Sequence, residues 1–527
     1  MDGLHEPAAP TTPRPDAVRT APGQALIDRV VVGIHRLQRR AISPHTDSAV
    51  ADLLRRTRGI NQPGSLPFPG RPMGQPQPDL APELANIDHI VVVMMENHSF
   101  DNYFGMLPHV DPTRSDIDGF TVDSEGRPTA ANTDADGVVQ RAHLLTTPNQ
   151  EMGQPMQTWD ASHVAVDNGK MDGFVRASAP VAMGYWDASV LPYYYSLAHH
   201  FPVGDRFFAS TLAMTHPNRL FAMAGTAAGK VDSSRHVRDL AAPGGHIFDV
   251  LDHNGITWAD YFSSLPTTGL ISKKYAVSHI GSNLIGPGVD PHQTVRSLGK
   301  AMDSGTLPSV VWVDPHFRLA SEEPPQNIQA GQQFVSQVID TFFRHPDVWK
   351  RSLIVLVYDE HGGYYDHVPP PASLPPDGIH PQVAADKRAG DDYTSLGVRL
   401  PFVVVSPWAK PGYVSHTVYD ETSILATIER KWNLPALTYR DANANHFGDN
   451  LVSSGPAPFE RPPQLAAAPF VPRREMVGAV ATASGDNAKA ALQDTGAITH
   501  AWALAQEISA RVRRVRAAVH SRGASAG

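Results

Sequence analysis

Two groups of acids stand where apolar runs of the chain give out. The run IDHIVVVMM (87–95) ends in Glu96-Asn97-His98-Ser99-Phe100-Asp101, and LIVLVY (353–358) ends in Asp359-Glu360, with His361, Asp366 and His367 close behind. Adjacent carboxylates repel one another unless a cation or protons compensate them. Asp359-Glu360 therefore reads as part of a metal site. Glu96-Asn97 taken alone reads equally well as an Asx-type turn before a capped helix. If the two runs are neighbouring strands, both groups share one site. Their ligand atoms are hard oxygens, which favour Ca, Mg, Mn or Zn.

Thr215 stands two residues before Pro217, at the start of an apolar helical pattern. Free N–H groups and the helix dipole favour anions there. A threonine hydroxyl that ionises beside a cation can attack phosphorus. Arg219 can offset phosphate charge, and His316 is a second candidate for substrate contact. His163, Asp314 and His416 lie in loops or near strand ends as further candidates. The competing readings are plain: Thr215 as an N-cap, Arg219 as a structural arginine, each histidine as a surface residue.

These side chains need a scaffold. The continuous β-branched run at 87–95 is the pattern of a strand buried on both faces. Similar runs recur at Val310–Val313, Leu353–Tyr358 and Phe402–Ser406. Helical patterns lie between them, clearest over 327–344 and 420–433. Alternation of this kind predicts a doubly wound, mostly parallel α/β sheet whose ligands bind beyond the carboxyl ends of the strands. Residues 106–160 and 365–398 are polar and rich in Asp, Gly and Pro, and read as long loop insertions over that edge. The expected organisation is an N-terminal extension over 1–85 with a short amphipathic helix at 25–40, a catalytic domain over 86–450, and a Pro-rich segment with a C-terminal helical tail over 451–527.

Composition narrows the classes. The 527 residues carry 18% charged and 41% apolar residues and a net charge of −9. A mildly acidic chain lacks the basic footprint of a nucleic-acid binder. With no cysteine, disulfides and thiolate metal sites are excluded. No apolar run reaches transmembrane length, and no signal peptide is visible at the N-terminus. A cytoplasmic location is the default expectation, with at most peripheral membrane contact; the oligomeric state is left open.

Four motifs in order carry a family resemblance: Glu96-Asn97-His98-Ser99-Phe100-Asp101 with Gly105; Thr215-His216-Pro217-Asn218-Arg219; Asp359-Glu360-His361-Gly362-Gly363 with Asp366-His367-Val368; and Gly397-Val398-Arg399-Leu400-Pro401 with Pro407. Over 86–435 the chain resembles the bacterial phospholipase C and acid phosphatase family, which includes the plant non-specific phospholipases C and belongs to the alkaline phosphatase superfamily. The resemblance implies an alkaline phosphatase type sheet and one divalent metal ion. It implies that Glu96, Asn97, Thr215, Asp359 and Glu360 gather metal and phosphate, and that Thr215 becomes transiently phosphorylated. His163 and His416 match loop histidines that contact phosphate or protonate the leaving group. The chain departs from the phospholipase pattern at Gln157, Glu323 and Glu421, each standing where relatives carry histidine. Phospholipids and small phosphomonoesters are both open as substrates, the aromatic stretch at 184–195 being either an apolar approach to the site or a packed helix. A non-catalytic metal- or phosphate-binding protein on a degenerate fold is the alternative from another class.

Overall fold

The computed structural model describes residues 81–476, apart from the internal stretches 151–155, 234–239, 241, 265, 273–274, 276–291 and 384–390. The expected helices at 25–40 and 486–518 lie outside the described residues.

Seven strands form the central sheet: β1 (His89–Met95), β2 (Val203–Gly204), β3 (Trp258–Tyr261), β4 (Val310–Val313), β5 (Ser352–Tyr358), β6 (Val403–Val405) and β7 (Val414–Ser415). Their spatial order is β7-β2-β6-β5-β1-β4-β3. β1 lies between β5 and β4 and is parallel to both. β6 runs antiparallel to β5 and to β2. The sheet is thus mostly parallel, and six strands deliver their carboxyl ends to one edge. The amino end of β6 arrives at that same edge.

The apolar runs form these strands because both faces are covered. Every residue of β5 is buried, and so is all of β1 beyond His89. Burial of each Val, Ile or Leu side chain contributes about 1.5–3 kcal/mol against an exposed reference. Covering helices include α1 (Phe100–Phe104), α2 (Trp159–Val166), α3 (Pro192–His200), α4 (Thr215–Ala224), α5 (Ile328–Phe343) and α6 (Thr422–Trp432). The patterns read at 327–344 and 420–433 became α5 and α6. α5 starts at Asn327, whose side chain accepts the Gln329 N–H. α6 stops at Asn433, which takes a left-handed φ of 53°.

The aromatic stretch proves to be packing. Tyr193, Tyr194 and Tyr195 lie buried on α3, and Tyr185 and Trp186 are buried as well. No apolar approach to the site is built from them. The excursion over 106–160 carries a small antiparallel pair, Ala131–Thr133 with Val139–Arg141, and a parallel pairing of His143–Leu144 with Gly184–Tyr185. Among the described residues no helix is long and apolar enough to cross a membrane.

Candidate active site

The register of β1 on β5 decides where the acids meet. Pairing runs without slip from His89 with Ser352 to Met95 with Tyr358. The next residues, Glu96 and Asp359, therefore leave the sheet side by side. The Asp359 N–H donates to the Met95 carbonyl (3.2 Å), and the Asn97 N–H donates to Asp359 Oδ1 (3.3 Å). Asn97 turns with φ of 70°, a conformation asparagine tolerates. Across from it Gly362 has φ of 63°, and a Cβ there would run into the Asn97 carbonyl. Only glycine lets the two loops approach so closely. The Gly362 N–H then donates to Glu360 Oε2 (2.7 Å). β4, on the other side of β1, delivers Asp314 to the same edge.

Arg219 lies among these acids. Its guanidinium donates from Nε to Asp359 Oδ2 (2.8 Å) and lies 3.6 Å from Glu96 Oε1 and 3.4 Å from Asp314 Oδ1. Nη1 also donates to Thr267 Oγ1 (3.1 Å). The side chain is 1% exposed. Burial opposes its charge, but Asp359, Glu96 and Asp314 outweigh burial and hold its pKa above the usual value. The residue read as a phosphate contact is thus engaged with carboxylates. Beyond it, Asp314 accepts from Thr267 N and Oγ1, each at 2.6 Å. Asp260, on β3, is pushed well up by burial and by Asp314.

The motif Thr215-His216-Pro217-Asn218-Arg219 can be assigned residue by residue. α4 begins at Thr215, with Met214 in the cap position, so Thr215 is the first helical residue and not the cap. It is half-buried and lies one turn before Arg219, on the same face. Asn218 fixes the approach: its Oδ1 accepts the Thr211 N–H (3.0 Å), and its Nδ2 donates to the carbonyls of Ala213 (3.1 Å) and Met214 (3.2 Å). α4 ends at Gly225, φ 70°.

The donor set fits a hard cation. Asn97 Oδ1 is buried without a hydrogen-bond partner among the described residues. Glu96, Asp314, Asp359 and Glu360 are all buried, with the guanidinium of Arg219 among them. Burial raises the pKa of Asp359 despite Arg219. Desolvated carboxyl groups gathered beside an amide oxygen that has no partner among the described residues are what a divalent cation would relieve. Glu96, Asn97, Asp359 and Glu360 are the residues that would hold it.

The histidines separate. His416, following β7, sets Nδ1 against Asp205 Oδ1 (2.9 Å) and is 56% exposed. Asp205 follows β2 and is fully buried. His163, on α2, sets Nδ1 against the Trp159 carbonyl (2.7 Å) and Nε2 at 3.7 Å from Asp391. His316 is buried with no hydrogen-bond partner for Nε2 among the described residues, and burial lowers its pKa to about 4, so it is neutral. His361, beside Glu360, is likewise neutral, lowered to about 3 by burial. Of the departures, Gln157 and Glu323 are half-buried, while Glu421 is fully buried. Neither Glu421 carboxyl oxygen has a hydrogen-bond partner among the described residues, and burial pushes its pKa well up.

A second group at this edge has ligand-like spacing: Asp101, Asp366 and His367 place one ligand atom each within 4.8 Å of one another. Its charges are already matched. Arg399 lies over the Phe100 ring and donates to Asp101 Oδ1 (2.9 Å) and to Asp366 (3.1 Å). His367 Nδ1 contacts Asp101 (2.7 Å), and Nε2 contacts Asp118 (3.0 Å). Burial works against the imidazolium, yet Asp101 and Asp366 raise its pKa to about 9. Below its ordinary 6.5 the ring is charged in folded and unfolded chains alike, and the ion pairs stabilise fully. That contribution is lost as pH rises through about 9. His367→Gln is expected to cost on the order of 3 kcal/mol at pH 6 and little at pH 10. Urea unfolding at the two pH values checks this; a loss independent of pH would contradict the ion-pair account.

Comparison with known proteins makes the chain a hydrolase of phosphoric ester bonds. The chain belongs to the Phosphoesterase family, whose sequence profile residues 87–435 match. It is 32% identical over 397 residues to non-specific phospholipase C1 of Arabidopsis thaliana, covering 68% of this chain and 70% of that one. To the non-hemolytic phospholipase C of Pseudomonas aeruginosa it is 28% identical over 383 residues, covering 67% of this chain but only about half, 54%, of that protein. Among solved structures it is similar, at 12% identity and a TM-score of 0.30, to a Vibrio parahaemolyticus protein of the alkaline phosphatase superfamily, over 64% of this chain and 77% of that one.

Sequence reasoning missed Asp205, Asp260 and Glu322. Asp205 follows a strand of only two residues, too short to show a hydrophobic run. Asp260 lies within β3, in a segment that reads WADY and shows no strand pattern of its own.

Proposed function

We propose that the chain cleaves phosphate esters in two steps through Thr215, with Glu96, Asn97, Asp359 and Glu360 holding one divalent cation. The observation that carries this reading is the buried Asn97 Oδ1, without a hydrogen-bond partner among the described residues, at the point where β1 and β5 release their acids. A cation held there would supply Lewis acidity toward the phosphoryl group and the attacking hydroxyl. Thr215 Oγ bonds phosphorus as the bond to the leaving alcohol breaks, and its proton passes to solvent. The N-terminus of α4 stabilises charge on the phosphoryl oxygens, as helix N–H groups do. Arg219 acts on the carboxylates, keeping them ionised as ligands.

Of the two histidines, one in a loop and the other on α2, His416 serves as the acid. Asp205 orients it through Nδ1, which leaves Nε2 to protonate the departing oxygen. His163, on α2, is anchored through Nδ1 by the Trp159 carbonyl, and its Nε2 lies 3.7 Å from Asp391 without a hydrogen bond among the described residues. In the second step water bonds phosphorus, one of its protons returns to His416, and the bond to Thr215 Oγ breaks as that oxygen regains a proton from solvent.

The relatives' names support a phospholipid substrate, whereas the burial of residues 193–195 removes one apolar route for a lipid. The test is a panel of phosphatidylcholine and p-nitrophenyl phosphate with Ca, Mg, Mn or Zn after chelation. Metal-restored release of phosphocholine or of p-nitrophenol supports the reading and identifies the substrate class. Turnover unaffected by chelation would overturn the metal assignment.

A further inference from the structure

Behind the candidate site lies a buried acid that plays no part in the chemistry proposed above. Glu322 is fully buried in the loop after β4. Three tyrosine hydroxyls donate to its carboxylate: Tyr194 to Oε1 (2.6 Å), and Tyr103 (2.8 Å) and Tyr358 (2.6 Å) to Oε2. Burial pushes the carboxyl up to about 7, and the three hydroxyls work against that rise. The side chain fills a cradle that admits nothing more, because a Cβ on Gly331 would run into its Cγ. Its backbone is left-handed, φ 77°, which for a glutamate is held only by its surroundings.

The partners are informative because of where they sit. Tyr358 is the last residue of β5 and directly precedes Asp359. Tyr103 lies on α1, which directly follows the turn Glu96-Asn97-His98-Ser99. Backbone contacts tie the same loops: the Glu96 N–H donates to the Ser321 carbonyl (3.0 Å). The Glu322 carbonyl accepts from Gln150 Nε2 (2.6 Å) and lies 3.1 Å from His98 Nε2. His98 is itself stacked between Tyr103 and Tyr364, at 4.3 and 5.2 Å. One side chain thus joins the exits of β1, β4 and β5.

We propose that Glu322 is a positioning residue: its clasp of Tyr103 and Tyr358 sets the relative placement of Glu96-Asn97 and Asp359-Glu360, and so the affinity of the site for its cation. The proposal rests on the metal-dependent reading above. Tyr194 provides an internal control. It donates to the same carboxylate from α3, which carries no candidate ligand, so its loss affects the carboxylate's burial without releasing a strand end.

The test uses the full-length chain. Calorimetric titration of the chelated protein with Mn2+ and Ca2+ gives the affinity, p-nitrophenyl phosphate gives kcat and KM, and thermal melts report folding. Glu322→Gln, Tyr103→Phe and Tyr358→Phe are expected to weaken cation affinity by roughly 10- to 100-fold, the range seen when residues behind metal ligands are changed. kcat at subsaturating cation falls in parallel, and saturating cation restores it. Tyr194→Phe is expected to lower the melting temperature comparably with affinity within about 3-fold of wild type, since it leaves the ligands' supports in place. If the Gln variant does not fold, the two strand-end tyrosine variants carry the test. Unchanged cation affinity in folded Tyr103→Phe and Tyr358→Phe overturns the proposal, as does an equal loss in Tyr194→Phe. A wild-type chain that binds neither ion removes the metal-dependent reading and the inference with it, an outcome distinct from variants that match a cation-binding wild type.

Discussion

Thr215→Ala is expected to lower kcat by at least about 10^3-fold, equivalent to some 4 kcal/mol of barrier, while cation affinity stays within a few-fold of wild type. The reasoning is positional. Thr215 opens α4 but does not cap it, so removing its hydroxyl forfeits no cap bond. The loop before it is pinned by Asn218, not by Thr215. Thermal stability should shift little, as for an ordinary surface change. The proposed nucleophile, by contrast, has no other hydroxyl to replace it on that helix turn. Thr215→Ser should keep measurable turnover because it retains a hydroxyl at the same backbone position. Mass spectrometry of acid-quenched wild-type enzyme should find phosphate on Thr215 and none in the Ala variant. Ala-variant turnover within tenfold of wild type would rule Thr215 out.

The parts of this site that the sequence revealed share a physical origin. β1 and β5 are buried on both faces, so their sequences are continuous apolar runs, and the acids that end them stand out as a change of chemistry. The parallel pairing that brings those ends together follows from the same burial, since such strands need helices on either side. Asp205 and Glu322 were invisible for the opposite reason. The one follows a strand of two residues, and the other lies in a loop whose importance comes from three tyrosines distant in sequence. The aromatic stretch at 184–195 shows the limit of reading side-chain type: tyrosine suits a lipid-facing lip and a buried clasp equally well, and burial, with the Glu322 partner of Tyr194, tells them apart. Arg219 illustrates the same point. Its place in a helix start next to a candidate nucleophile reads as a phosphate contact, yet its partners are carboxylates delivered by β1, β4 and β5.

That reassignment makes Arg219→Met the sharper perturbation of stability. A buried guanidinium with three carboxylate neighbours cannot be removed without leaving their charge uncompensated, and breaking a buried ion pair from one side costs about 3–5 kcal/mol. The loss is expected in full only when other compensation is absent, which fixes two dependences. The first is pH. Burial already raises Asp359 and Asp314 above their ordinary 3.8, and Arg219 opposes that rise in both. A carboxyl whose folded pKa is raised binds its proton more tightly when folded, so its protonated form favours folding and stability falls as pH climbs from 3.8 through the folded value. Without Arg219 the rise is larger, so the variant's deficit should widen from pH 5 to pH 8. The second is the cation. A divalent ion among the same oxygens compensates the charge that Arg219 leaves behind, and ligand binding stabilises the folded state according to its affinity and concentration. Mn2+ or Ca2+ should therefore raise the stability of Arg219→Met by more than it raises wild type. Urea unfolding at pH 5 and pH 8, each with chelator and with added ion, measures both dependences. A deficit equal under all four conditions would mean that Arg219 contributes packing alone, and that the carboxylates at the ends of β1, β4 and β5 do not depend on it for their charge.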